Sequence, residues 1–255
     1  MQAIKQILTS TTLFALCAPI AMAEEEYEPF VEIIAMGGVV AVDTGNTSLH
    51  IRDSQTDLET DLLKNNEEWS GWVAQLGVGY VYELTNDFDT DDFQFLPTIN
   101  PQFNVYYIGD HDIDGNVVRF GDTYDGVDYT QEFSSTRLMF DLGITLVQYE
   151  EISLYGLAGL GIAFNTLNTT FSSDEFPFYN DSNLSESSTS FAYEFGAGLA
   201  YAIDTDLTVN VQYLITGIND VDLGSNDTNS KGFDVSADQY NIITQAGMIG
   251  LRYAL

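Results

Sequence analysis

The feature that most constrains this chain is a two-residue alternation of bulky apolar side chains with small or polar ones. It recurs in eight segments: 30–42, 69–83, 93–109, 135–149, 152–165, 190–203, 207–217 and 240–255. A period of two is the period of a strand, and helical spacing is scarce. Within 69–83, Trp72, Ala74, Leu76, Val78, Tyr80 and Tyr82 fall on one side, and Gly71, Val73, Gln75, Gly77, Gly79 and Glu83 on the other. Within 135–149, Leu138, Phe140, Leu142, Ile144 and Leu146 oppose Arg137, Asp141, Gly143 and Thr145. Within 190–203, Phe191, Tyr193, Phe195, Leu199 and Tyr201 oppose Glu194, Gly196, Gly198 and Ala200.

Alternation alone also suits a soluble antiparallel sheet. Residue size separates the two cases. If the bulky face were enclosed, it would crowd a narrow interior and leave glycines facing water without reason. Turned inside out, the compact residues fit a cramped lumen and the aromatics meet lipid. Each segment exceeds the ~9–11 residues that a tilted strand needs to cross a bilayer. A closed sheet also leaves no unpaired edge in hydrocarbon. The expected fold is all-β: an eight-stranded antiparallel transmembrane barrel. Tyr80, Tyr82, Tyr107, Tyr193, Tyr201 and Tyr253 lie near expected strand ends, where interfacial aromatics belong.

The connections support this reading. Those at 43–68, 110–134, 166–189 and 218–239 are long, and those at 84–92, 150–151 and 204–206 are short. Long loops at one end and tight turns at the other is the layout of membrane-spanning barrels. Pro97 and Pro101 interrupt the third segment, which implies a bulge there or a strand start near Gln102.

Residues 1–23 read as a secretory signal. Lys5 gives a positive start, residues 13–22 are mainly apolar, and Ala21-Met22-Ala23 is a small-residue cleavage site. Export through the Sec pathway is therefore expected, with one barrel domain over 24–255. The single cysteine, Cys17, lies in the signal, so disulfide and thiol chemistry are not expected. The formal net charge is −32, with 39 acidic residues against 7 Lys and Arg. That balance excludes nucleic-acid binding, which needs clustered cations. Aromatics at 13% and hydrophobics at 45% exclude a disordered acidic tail.

The stretches SLYGLAGLGIAF (153–164), FAYEFGAGLAYAIDTDLTVNVQYL (191–214) and FLPTINPQFNVYY (95–107) resemble small bacterial outer-membrane barrels of the opacity-protein and OmpA-like type. In that family a Tyr-x-x-x-Gly-x-Gly strand precedes a long loop, and a Gly-Ala-Gly strand, an Asp turn and a tyrosine strand follow. The resemblance implies an eight-stranded barrel in the outer membrane with exposed variable loops, and no single activity. Such barrels usually end in Phe, read by the assembly machinery, whereas this sequence has Leu255.

Two constellations are candidates for chemistry. The expected lumen holds Glu32, Glu83, Asp141 and Glu194 with Arg137 and Arg252 as its cations. Isolated buried ions are costly, so the arginines should be bridged by these carboxylates, as a static plug or as a gate. Asp110, Asp112, Asp114 and Asn116 match the opening of a calcium loop, so a weak Ca2+ site in an extracellular loop is a further expectation. Position twelve is Gly121 rather than Glu, and no helices flank the run. No other cofactor is expected. His50 and His111 both fall in expected loops, without a recognisable catalytic spacing.

The expected function is a non-enzymatic surface barrel with a side-chain-filled lumen. It would support envelope integrity and display acidic loops of adhesion or surface-antigen type. The alternatives are a small porin or hydrophobic-solute channel, and a lipid-modifying barrel enzyme. Expected partners are outer-membrane lipids and lipopolysaccharide, the barrel-assembly machinery, and host or cell-surface ligands at the loops.

Overall fold

The computed structural model describes residues 29–44, 46–53, 57–65, 69–84, 93–118, 127–173, 184–222, 225–226, 233–237 and 240–255. The expected signal, 1–23, lies outside the described residues. The strands are β1 (Phe30–Asp43), β2 (Asn46–Asp53), β3 (Asp57–Asn65), β4 (Trp69–Glu83), β5 (Phe93–Phe95), β6 (Thr98–Val118), β7 (Asp128–Tyr149), β8 (Ile152–Ser172), β9 (Leu184–Ala202), β10 (Leu207–Val221), β11 (Ser225–Asn226), β12 (Phe233–Ala237) and β13 (Tyr240–Ala254). The described residues contain no helix.

Eight of these strands form a ring in the order β1-β4-β6-β7-β8-β9-β10-β13, and β13 returns to β1 through the run from Glu32↔Ala254 to Asp43↔Ile243. Every neighbouring pair is antiparallel. The eight correspond one to one to the alternating segments of the sequence. Closure satisfies the backbone of every strand from both sides, which is what a hydrocarbon environment demands.

Side-chain direction follows the alternation. On β4, Trp72 (52% exposed) and Leu76 (65%) point outward, while Val73 and Gln75 are buried. On β9, Phe195 (61%) points out and Glu194 is wholly buried. The six expected girdle tyrosines are all outward. Trp72 and Tyr107 stack edge to face at 5.2 Å. A water-soluble barrel could not present such a surface without aggregating. On β8 the outward apolar face runs from Ile152 to Phe164, about 28 Å along the membrane normal at ~45° tilt, which matches a hydrocarbon core.

Beyond that belt the pattern inverts. On β7 the outward residues change from Phe140 and Leu138 to Thr136, Ser134, Thr130 and Asp128, while Tyr129 and Phe133 turn inward and are buried. On β8 Thr166, Asn168 and Thr170 face out, and Leu167 and Phe171 face in. Here water is outside, so the strands obey the ordinary soluble rule. Because short turns are periplasmic in such barrels, this end is extracellular.

Strand therefore occupies much of what the sequence reading assigns to long loops. β6 to β9 run past their expected ends, and β3, β2 and β12 join them at the edge of β6, pairing in the order β6-β3-β2-β12. The reason is the apolar interior of this extension: Ile113, Val117, Phe133, Leu167 and Leu184 form one cluster with Val40, Val42 and Ile218. Their period of two is hidden among Ser, Thr and Asp.

The prolines resolve into a break and a gap. β5 ends before Leu96, whose φ is 52°, and Pro97 separates it from β6. Pro101 lies within β6, opposite Leu142 of β7. On its other side the β4 ladder lapses between Gly79↔Gln102 and Tyr82↔Ile99. A residue without an N–H costs no ladder bond there. The turns are locally encoded too. Asp204 Oδ1 accepts the backbone N–H of Asp206 at 2.9 Å and of Leu207 at 2.8 Å, an Asx turn. Glu150 takes a φ of 50° to reverse β7 into β8.

Candidate functional site: the barrel lumen

The alternation sends one residue in two of every strand into a lumen only eight strands wide. Large polar side chains fit there because glycines face them. Asn104 lies over Gly77 and Asp141 over Gly159, so closely that a Cβ on either glycine would overlap the side-chain oxygen. Asn104 Oδ1 and Asp141 Oδ1 have no N–H or O–H partner among the described residues. Both rest against glycine Cα, where C–H···O contacts are the available compensation.

Near the periplasmic mouth, Arg252 Nη1 lies 3.7 Å from Glu32 Oε1. Its guanidinium stacks over the Tyr155 ring at 4.6 Å. Asn100 Nδ2 donates to the same Glu32 oxygen. These groups border a vestibule of about 120 Å³. Above it, Tyr155 OH donates to Gln212 Oε1 at 3.2 Å, and Gln212 Nε2 donates to Gln75 Oε1 at 2.9 Å. This chain of bonds links β8, β10 and β4 across the bore.

The next layer closes it. Arg137 is fully buried and projects from β7. Its Nη1 donates to Thr244 Oγ1 at 3.1 Å. Thr244 is on β13, four strands round the ring from β7 in either direction, so this one side chain spans the lumen. The guanidinium also sits 5.2 Å from the Tyr106 ring centroid. Tyr106 OH donates to Asp141 Oδ2 at 3.4 Å, and Asn104 Nδ2 donates to the same oxygen at 2.6 Å. Glu194 Oε2 accepts from Thr216 Oγ1 at 3.3 Å. Asp141 and Glu194 lie in one row, separated only by Gly159 of β8. Both carboxyl groups lie in the same layer as the Arg137 guanidinium.

Of the six residues expected in a lumen charge network, the structure brings Glu32, Arg137, Asp141, Glu194 and Arg252 inside. Glu83 is a correction. It is exposed at the end of β4, opposite Thr98, at the open mouth and outside the buried network. The bridging differs from expectation as well. Arg252 meets Glu32, whereas Arg137 has no carboxylate oxygen within ion-pair distance among the described residues and is held by Thr244 and the Tyr106 face. Tyr106 and Tyr155 are missing from the sequence reading. Tyr106 neighbours the outward Tyr107, and its even register position was the available signal.

The lumen is also greasier than expected. Ile34, Met36, Met139, Leu214 and Met248 point inward and are buried. They pack around the polar braces, and Gln212 Nε2 lies 3.6 Å from Met248 Sδ.

The expected calcium loop is likewise corrected in its placement. Asp110, Asp112, Asp114 and Asn116 lie on β6, all exposed. In an extended strand Asp112, Asp114 and Asn116 spread over roughly 13 Å, too far to enclose one ion together. Asp114 Oδ1 instead accepts from Thr130 Oγ1 of β7 at 2.7 Å. Among the described residues no three His, Cys, Asp or Glu side chains are grouped to hold a metal. His50 lies on β2 and His111 on β6, the latter 3% exposed, so both are strand residues rather than loop residues.

No protein-family model and no curated protein matches the chain. Its structural neighbours are outer-membrane β-barrels. The outer membrane protease OmpT from Escherichia coli is 9% identical with a TM-score of 0.44, over 92% of this chain and 99% of that one. Ail, the attachment invasion locus protein of Yersinia pestis, is 15% identical with a TM-score of 0.31, over 88% and 99%. Neisserial surface protein A is 11% identical with a TM-score of 0.33, over 89% and 99%. Likeness at this level assigns no activity, and the architecture rests on the strand ladders.

Proposed function

We propose that this outer-membrane β-barrel is a non-enzymatic surface protein: a plugged barrel that reinforces the membrane and carries an acidic β-structured extension outside the cell. The observation that carries this reading is the Arg137 side chain reaching from β7 to Thr244 on the opposite wall. Tyr106, Asp141 and Glu194 fill the space beside it, and all are buried. A solute would have to break these contacts between buried polar side chains. His111, a residue that a lipid-modifying enzyme would need within reach of lipid, is buried on the inner face of β6. The extension presents Asp110, Asp112, Asp114, Asp128 and Glu132 to water, which suits hydration and display. Export through the Sec pathway, insertion by the barrel-assembly machinery, and contact with lipopolysaccharide belong to the same reading.

Planar-bilayer recording tests it. The purified barrel should give no resolved conductance steps. Discrete steps that disappear or change size in Arg137→Ala or Arg252→Ala would establish the small-channel alternative instead. Lipid A altered in overproducing cells, and restored by His111→Ala, would establish an enzyme.

A further inference from the structure

The outer wall carries a second hollow, away from the lumen, of about 270 Å³. It lies where the lipid belt gives way to the polar extension. Its lower rim is the row Tyr107, Thr136, Phe164 and Thr189, on four successive strands. Its upper rim is the row Ser134, Thr166 and Ser187. Tyr107 and Phe164 are 41% and 46% exposed. The Thr166 and Ser187 hydroxyls are 3.4 Å apart and both exposed.

Two properties mark this hollow off from the surface around it. Among the described residues no charged side chain lines it, although the chain carries a formal charge of −32 and Glu132 stands one outward position above Ser134 on β7. It is also amphipathic along the membrane normal. Hydroxyls lie above, two aromatic rings lie at the middle, and the lipid-side row of Leu138, Ile162 and Phe191 lies directly below.

We propose that this hollow binds the neutral sugar of an outer-leaflet glycolipid, with its acyl chains running down the apolar face beneath. Hydroxyl side chains can donate and accept, as a sugar hydroxyl requires. Tyr and Phe at the interface offer flat apolar surface to the carbon face of the ring and to the sugar–acyl junction. A phosphate is not the recognised group, because among the described residues no Lys or Arg lines the hollow to pair with it. The lipid is held by shape and hydroxyl bonding, at the depth where its headgroup already sits. The inference rests on the outer-membrane placement and deepens the lipid partnership in the proposed function.

The test uses the folded protein in amine-oxide micelles, titrated with dodecyl maltoside and followed by native mass spectrometry. One maltoside should be retained per barrel. The variant Thr136→Val/Thr166→Val/Ser187→Ala keeps the side-chain volumes and should weaken retention at least tenfold. Dodecyl phosphocholine, with the same chain and a charged head, should be held weakly and equally by both proteins. Ser187→Ala alone should give an intermediate loss, which keeps the test open if the triple variant folds poorly. Equal retention of maltoside by native protein and variants would overturn the proposal. So would phosphocholine retained as tightly as maltoside, or free maltose binding as well as its dodecyl form. Folding of the native chain without detergent would overturn the membrane placement itself, a separate result.

Discussion

At the residue scale, the lumen is a set of large polar side chains made possible by small ones. Arg137 reaches Thr244 only because the bore is narrow, and Asp141 fits only because Gly159 has no Cβ. Among the described residues Arg137 is the one cation in its layer, which it shares with the carboxyl groups of Glu194 and Asp141. Replacing it by Met removes the bond to Thr244 and leaves that hydroxyl and Glu194 without their cationic neighbour, at a cost of about 1–3 kcal/mol. Urea unfolding in micelles should show that loss for Arg137→Met, and adding Glu194→Gln should recover part of it. A double variant no more stable than the single one would mean that Glu194 and Arg137 are not coupled. Arg137, Asp141 and Glu194 were legible from their register, and Tyr106 was not. Sequence reading missed the pairings, because which carboxylate an arginine meets depends on strand shear and not on spacing along the chain.

At the element scale, each strand changes character along its length. β7 shows this most clearly: Phe140 and Leu138 face lipid, Glu132 and Thr130 face water, and the inner face changes in the opposite sense. The boundary can be mapped with cysteines, since Cys17 is the only one in the chain. Glu132→Cys and Ser185→Cys should react on intact cells with a membrane-impermeant maleimide, while Leu160→Cys and Phe195→Cys should stay unlabelled. Labelling of Leu160→Cys at a comparable rate would displace the belt. The turns admit a separate check. Glu150 pays for its left-handed φ of 50°, so Glu150→Gly should stabilise the β7–β8 hairpin by about 1 kcal/mol. The readout is a higher urea midpoint with an unchanged slope, and a lower midpoint would contradict the assigned strain. The eight spanning strands were legible because their outer faces are uniformly apolar. The extension was not, because a half-polar strand above the membrane reads like a serine- and aspartate-rich loop.

At the scale of the whole molecule, two solvents divide one barrel. The lower part turns its apolar surface outward and the upper part encloses it, around the cluster of Phe133, Leu167, Ile218 and Val42. Burying the belt therefore requires a bilayer or its mimic. Urea-unfolded chain diluted into buffer should aggregate. The same chain diluted into micelles should become compact and show altered electrophoretic mobility before heating. A monodisperse folded product without amphiphile would refute the membrane-spanning assignment. The enclosed upper part also explains how so acidic a chain can hold an ordered structure outside the belt: Asp110, Asp112, Asp114, Asp128 and Glu132 stand on the outer face, in water, where their repulsion is screened.

What the amino-acid order determined by itself was the alternation, and with it the strand count, the closed antiparallel ring and the side that meets lipid. These follow from local covalent geometry, since a strand presents successive side chains to opposite faces whatever it pairs with. Only the closed structure decided which residues meet across the bore, that Glu83 stands exposed at its mouth while Tyr106 and Tyr155 are buried within, and that the aspartates of 110–114 lie on a strand. Those outcomes depend on the stagger between strands distant in sequence, and on an interior that forms only when all of them are in place.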